Sequence, residues 1–115
     1  MTADLQGDLF GITDITQPDY APHLSIDERF AVWHQANPNV YRALERLTEQ
    51  HVARGRTHLS IGMFVEVLRN EHDLNTTGDR FKINADYRAL YSRLLMARHP
   101  EWDGLFATRE RKAAA

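Results

Sequence analysis

The sequence predicts a mainly α-helical fold: a compact bundle of four main helices followed by a short C-terminal helical turn. Apolar residues in the body of the chain recur at helical rather than alternating spacing, and capping residues stand immediately before these stretches. The chain has 115 residues, of which 43% are hydrophobic, and this size suits one domain with a single core. A large multidomain enzyme is therefore excluded.

The first helix is predicted over 26–36. Ser25 is followed three residues later by Glu28, the spacing of a capping box in which each residue satisfies a backbone N–H of the other. One face of this helix is apolar and carries Ile26, Phe30 and Trp33.

The second helix is predicted over 38–54. Asn37 suits the N-cap position, and Pro38 suits the first helical position, where the missing N–H of proline costs nothing. The apolar stripe of this helix ends before Gly55, a residue type that commonly terminates helices.

The third helix is predicted to begin after Ser60, which can cap it. Its apolar face carries Ile61, Phe64, Val65 and Leu68. The stretch 72–83 is interpreted as a loop or wing. Because Phe81-Lys82-Ile83 alternates between apolar and polar residues, a short hairpin near 76–83 is an open alternative.

The fourth helix is predicted over 85–99, with Asn84 as its cap and Pro100 beyond its end. Its apolar stripe carries Tyr87, Leu90, Tyr91, Leu94 and Leu95. We expect Leu94 to be buried on this stripe. The apolar residues that follow should fold back onto the core; they are Trp102, Leu105 and Phe106.

Charge and composition divide the chain into three parts. Residues 1–24 have no regular apolar period and are interpreted as an acidic, irregular arm, 25–108 as the helical domain, and 109–115 as a frayed tail. Residues 1–28 contain six acidic residues and neither Lys nor Arg, so the remainder is mildly basic. Arginine supplies 12 of the 14 basic residues, which allows contact with phosphate groups without requiring it.

Residues typical of catalytic and cofactor sites are scarce. The chain has no Cys, its six His residues lack the spacing of a zinc-binding helix, and it has no glycine-rich phosphate loop or nucleophile elbow. We therefore expect a non-enzymatic protein without metal or cofactor. The lack of a signal-peptide pattern or a long apolar run predicts a cytoplasmic protein that does not contact membranes.

The arm contains the pentapeptide Gln6-Gly7-Asp8-Leu9-Phe10. It resembles the motif by which bacterial polymerases and repair proteins dock onto the replication sliding clamp. The resemblance implies that Gln6 makes polar contacts, with Asp8 at the Ser or Asp position, and that Leu9 and Phe10 fill an apolar pocket. The alternative is that Leu9, Phe10 and Ile12 fold onto the body as a strap.

The body, over about 30–111, resembles a family of small phage and prophage proteins whose function is not settled. The resemblance rests on the patterns Phe30-x-x-Trp33-His34-x-x-Asn37-Pro38-x-Val40-Tyr41, Ser60-Ile61-Gly62-Met63 with Glu66-x-x-Arg69, and Phe81-Lys82-Ile83-Asn84-x-x-Tyr87-x-x-x-Tyr91-x-Arg93. It implies an origin in a mobile element but no particular chemistry.

Two hypotheses of function follow, with a metal-dependent nuclease as a third, weaker one. In the first, the arm docks on the bacterial sliding clamp, or on another host protein, to recruit or inhibit replication factors. In the alternative, the protein is a small helix-turn-helix-like DNA-binding regulator with the fourth helix in a groove and 72–83 as a wing. The residues expected to contact nucleic acid are then Arg69, Lys82, Arg88 and Arg93.

Overall fold

The computed structural model describes residues 10–78 and 80–107. Its helices are α1 (Ile26–Ala36), α2 (Pro38–Ala53), α3 (Ile61–Asn75) and α4 (Asp86–Arg98), followed by a 3₁₀ turn at Pro100–Trp102. The prediction of a mainly helical fold with four helices and a C-terminal turn is confirmed.

Local capping explains where three of the helices begin. Ser25 and Glu28 make both bonds of the capping box before α1, at 3.1 and 2.9 Å, and the Ser60 hydroxyl accepts from the Met63 N–H before α3. Ala85 already has helical backbone angles, and the Asn84 side chain accepts from the Asp86 N–H at 2.9 Å. Asn84 therefore caps α4 as the sequence predicts.

The core is built around α4, which packs against α1, α3 and the 3₁₀ turn. The Trp33 indole N–H donates to the Tyr91 hydroxyl at 2.8 Å, and the Phe30 ring meets the Tyr91 ring edge-on at a centroid distance of 4.8 Å. Burial raises the pKa of the Tyr91 hydroxyl. This aromatic contact joins α1 to α4 and fixes their register.

The expected position of Leu94 is wrong in detail. Leu94 is only partly buried at the margin of the core, whereas Leu95 is 0% exposed. Tyr87, Tyr91 and Leu95 lie four residues apart in turn and are all buried, and the two tyrosine rings pack on the aromatic residues of α1. Leu94 lies one position before this row and therefore about 100° away from Leu95 around the helix.

The hairpin near 76–83 is not formed by the described part of this stretch. Residues 80–84 have no regular secondary structure, with Phe81 buried and Lys82 exposed, and no strand pairs with them among residues 10–78 and 80–107. Their backbone groups instead bond to side chains: the Phe81 N–H to Asp73 and the Lys82 carbonyl to Gln17. The alternation thus reflects one face packed on helices.

The N-terminal segment 10–24 is irregular, as predicted, but it packs on the body. Ile12 is 0% exposed, and Phe10 and Ile15 pack against the core. The side chain of Asn39 donates to the Gly11 and Asp14 carbonyls, both at 3.0 Å. Residues 10–24 are therefore part of the folded domain, which corrects the predicted division at residue 24.

Asn37 occupies the N-cap position of α2, as the sequence predicts, but its side chain makes no capping bond there and instead holds the middle of this segment. Its side-chain oxygen accepts from the Thr16 N–H at 2.7 Å, and its amide nitrogen donates to the Thr16 carbonyl at 2.8 Å and the Trp33 carbonyl at 3.2 Å. Asn37 is 0% exposed. These bonds satisfy both backbone groups of Thr16, which explains why the asparagine faces inward.

At the C-terminal end, Trp102, Leu105 and Phe106 are buried, as the sequence predicts. The Leu59 N–H donates to the Leu105 carbonyl at 2.9 Å, and Leu59 forms an isolated parallel bridge with Phe106. The connection between α2 and α3 is thereby joined to the end of the domain. The predicted tail, 109–115, lies outside the described residues.

Candidate nucleic-acid interface

An open cleft of about 320 Å³ lies between α3 and residues 80–84, which precede α4 and are called the 80–84 segment. Its lining residues are Arg69, Arg80, Phe81, Lys82 and Ile83. Phe81 is 3% exposed and anchors the segment in the core, while its neighbours Arg80 and Lys82 are exposed. Three cationic side chains from two different elements therefore line one cleft.

Asp73, near the end of α3, positions the 80–84 segment. One of its carboxylate oxygens accepts from the Phe81 N–H at 3.2 Å, and the other accepts from the Arg80 Nε at 3.1 Å. The Phe81 N–H, with a smaller contribution from the His72 ring, holds the pKa of Asp73 below its usual range. Asp73 therefore remains ionised and keeps Arg80 and Lys82 beside Arg69.

Glu66 balances part of the positive charge on the α3 side. Its carboxylate pairs with Arg69 one turn along α3, and the Arg88 Nη2 lies 3.7 Å from the same carboxylate oxygen. The Arg69 side chain is 28% exposed, compared with 79% for Arg80. Arg80 and Lys82 thus present the more accessible cations to an incoming anion.

The four cations predicted from the sequence do not form one surface. Arg69 and Lys82 line the cleft, whereas Arg88 does not and lies beside Glu66, the partner of Arg69. Arg93 does not line the cleft, because five positions on a helix place it about 140° around α4 from Arg88. Sequence reasoning missed Arg80, although its place two residues before Lys82 in an alternating stretch was a usable signal.

The helix-turn-helix form of the DNA hypothesis does not match the geometry. Residues 76–85 separate α3 from α4, whereas the turn of that motif has three or four residues. A wing would require a hairpin, and residues 80–84 pair with no strand in the described structure. The cleft itself is therefore the better candidate for contact with nucleic acid.

Of the clamp-like pentapeptide, Phe10 falls among the described residues. Gln6, Asp8 and Leu9 lie outside the described residues. Phe10 is described, and its side chain is partly buried against the core. Since Ile12 is fully buried two residues later, the strap interpretation holds for Phe10 and Ile12 in this conformation.

Every helix within 10–78 and 80–107 is too short or too polar to cross a bilayer. The same residues hold no cluster of three or more His, Asp or Glu side chains arranged to bind a metal ion. The chain matches no family model, no curated protein and no solved structure.

Proposed function

We propose that this protein is a non-enzymatic module that binds nucleic acid through the cationic cleft. The observation that carries the proposal is the convergence of Arg69, Arg80 and Lys82 on one open surface. Guanidinium and ammonium groups are the usual partners of backbone phosphates, and contacts with phosphate supply most of the affinity for nucleic acid.

Asp73 strengthens the proposal because it holds the cations in place before any ligand arrives. Without the bonds to Asp73, Arg80 and the Phe81 backbone would have to become ordered on binding, at a cost in conformational entropy. The Asp73 carboxylate also reduces the net positive charge at the cleft. The cleft is therefore suited to moderate affinity that depends strongly on salt.

The test is fluorescence anisotropy with labelled single-stranded and duplex DNA, titrated at several salt concentrations. Lys82→Gln and Arg80→Gln should each weaken binding and lower the slope of log affinity against log salt by about one, as one phosphate contact is lost. Arg56→Gln is the matched control. Arg56 is exposed and lines a separate cleft beside Trp102, so this variant should bind like the natural protein.

A lack of binding to either form of DNA at low salt would refute the proposal, because electrostatic contacts are least screened there. Equal losses in Lys82→Gln and Arg56→Gln would indicate a general charge effect rather than a contact at the cleft.

Asp73→Ala tests whether positioning matters. The substitution removes the acceptor for the Phe81 N–H and for Arg80, so hydrogen exchange at the Phe81 amide should increase. Affinity for DNA should fall even though a negative charge has been removed. An increase in affinity would mean that Asp73 acts only by repelling phosphate.

Docking on the bacterial sliding clamp is a second candidate. It rests on the resemblance of Gln6-Gly7-Asp8-Leu9-Phe10 to the clamp-docking motif, and the bonds from Asn39 to the Gly11 and Asp14 carbonyls fix the chain immediately after this pentapeptide. Docking requires Phe10 to leave its contacts with the core. A synthetic peptide covering residues 4–12 should therefore bind a purified clamp more tightly than the full-length protein does, and Phe10→Ala should remove most of the affinity of both.

A further inference from the structure

A second cleft, of about 330 Å³, adjoins the cationic one. Both clefts are lined by Lys82 and Ile83. The other residues that line the second cleft are Gln17, Tyr20, Arg29, Trp33, Asn84 and Tyr87. The two clefts meet at the 80–84 segment, so a ligand that crosses Lys82 reaches both of them.

The second cleft offers planar groups rather than only charge. The Arg29 guanidinium lies over the Tyr20 ring, with its central carbon 5.8 Å from the ring centroid. The Tyr87 hydroxyl donates to the Tyr20 hydroxyl at 3.1 Å, which holds the Tyr20 ring at the cleft. Tyrosine rings and guanidinium planes are the surfaces on which unpaired bases stack in nucleic-acid complexes.

Two side-chain amides lie beside these planar groups. The Gln17 amide nitrogen donates to the Lys82 carbonyl, and the Asn84 oxygen accepts from the Asp86 N–H. The remaining amide atoms are an oxygen in Gln17 and an NH₂ group in Asn84, which are an acceptor and a donor respectively. The polar edges of unpaired bases carry both donors and acceptors, so these two atoms can bond to one.

We propose that the second cleft takes an unpaired base, so that the ligand of this protein is single-stranded nucleic acid. The base stacks against Tyr20 and Arg29, while the flanking phosphates lie over Lys82 and Arg80. This inference rests on the proposed function and names the form of nucleic acid that the site selects. A duplex keeps its bases stacked inside, so it can use only the cationic cleft.

The experiment compares three labelled probes of equal length by fluorescence anisotropy: a single strand with bases, the same strand with abasic sites throughout, and a duplex. The strand with bases is used as oligo(dT) and as oligo(rU), which distinguishes a preference for DNA from one for RNA. We expect it to bind on the order of tenfold more tightly than the abasic strand, which is the size of a stacking contact on an aromatic side chain.

Tyr20→Leu should bring the ratio of the affinities for the base-containing and abasic strands close to one, because it removes the stacking surface. Tyr20→Phe keeps the ring and loses only the bond to the Tyr87 hydroxyl, so it should retain most of the ratio. Circular dichroism of Tyr20→Leu checks that the helices persist. The comparison of probes on the natural protein needs no variant and stands even if Tyr20→Leu unfolds.

The outcomes separate the two proposals. Equal affinity for the base-containing and abasic strands, with binding still dependent on Lys82, overturns the base cleft and leaves the cationic cleft in place. Duplex binding as tight as single-strand binding also overturns the base cleft. Absence of binding to every probe at low salt overturns both.

Discussion

The helical body and the N-terminal segment 10–24 bury apolar residues in the same core by different means. In the body, a residue such as Leu95 is buried because it repeats along one face of a helix. In the segment, Ile12 reaches the same 0% exposure without any periodic neighbours. What holds it there is a set of side-chain bonds to the backbone, chiefly those of Asn37 and Asn39.

An aperiodic segment thus joins a core when another element supplies partners for its backbone groups. A helix satisfies its own N–H and C=O groups, whereas an irregular segment must find partners elsewhere before it can be buried. Asn37 presents one donor and one acceptor, the same pair that a peptide group presents. It therefore binds Thr16 as a neighbouring strand would.

The largest expected effect is in the body. Leu95→Ala should lower the free energy of unfolding by about 2–5 kcal/mol, because it leaves a cavity at a fully buried site. Leu94→Ala is the matched control on the same helix and should cost less, because Leu94 is only partly buried. Urea unfolding of both variants measures the difference. A greater loss in Leu94→Ala would reverse the assignment of the buried face of α4.

The next effect is at the junction of the two regions. Asn37→Ala should cost about 1–3 kcal/mol, because the Thr16 N–H and carbonyl lose their partners. Hydrogen exchange should then accelerate at Thr16 while the amides of α4 remain protected. Asn39→Ala removes more exposed bonds and should cost less. If Thr16 exchange is unchanged in Asn37→Ala, another contact holds the segment.

The same comparison explains what the sequence can predict. The capping residues Ser25, Glu28 and Ser60 act within one turn of their own helices. Their positions in the sequence therefore predicted where α1 and α3 begin. Asn37 and Thr16 are 21 residues apart, and no local pattern relates them. The residue type correctly predicted that Asn37 stands at the N-cap position of α2, but not that its side chain bonds to Thr16 instead of to the helix.

The residues of the candidate site also fall into those that the sequence identified and those that only the fold brings together. Arg69 and Lys82 were identified from their charge and their positions beside helices. Tyr20 and Arg29 were not, because they lie far from Lys82 in the sequence and line the same cleft only in the folded chain. Asp73 is seven residues from Arg80, and no local sequence pattern predicts the bond between them.

A smaller effect is expected at the start of the segment. Phe10→Ala should lower the free energy of unfolding by roughly 1 kcal/mol, since the ring is partly buried against the core. A freely exposed arm predicts no change. Thermal unfolding should show a decrease of several degrees. An unchanged melting temperature would restore the interpretation of Phe10 as an exposed anchor.

The smallest effect is a pH dependence that belongs to the body alone. The His99 ring lies 2.6 Å from a Glu45 carboxylate oxygen, and this bond, with a smaller contribution from Glu101, raises the pKa of His99. The folded state thus favours the charged ring. Its stabilising contribution is fully present below the ordinary histidine pKa of about 6.5 and is lost as pH rises through the raised value.

His34 gives the opposite sign, because burial lowers its pKa and its contribution is lost as pH falls below about 6.5. The pH profile of the natural protein therefore mixes the two histidines, and the readout must be its difference from Glu45→Gln. That difference should be largest near pH 6, should stay below about 1 kcal/mol as for a partly exposed ion pair, and should shrink toward pH 9. It should persist in Ile12→Ala, because distant and independent sites contribute additively. A difference that vanishes in Ile12→Ala would mean that the segment and the His99 pair are coupled.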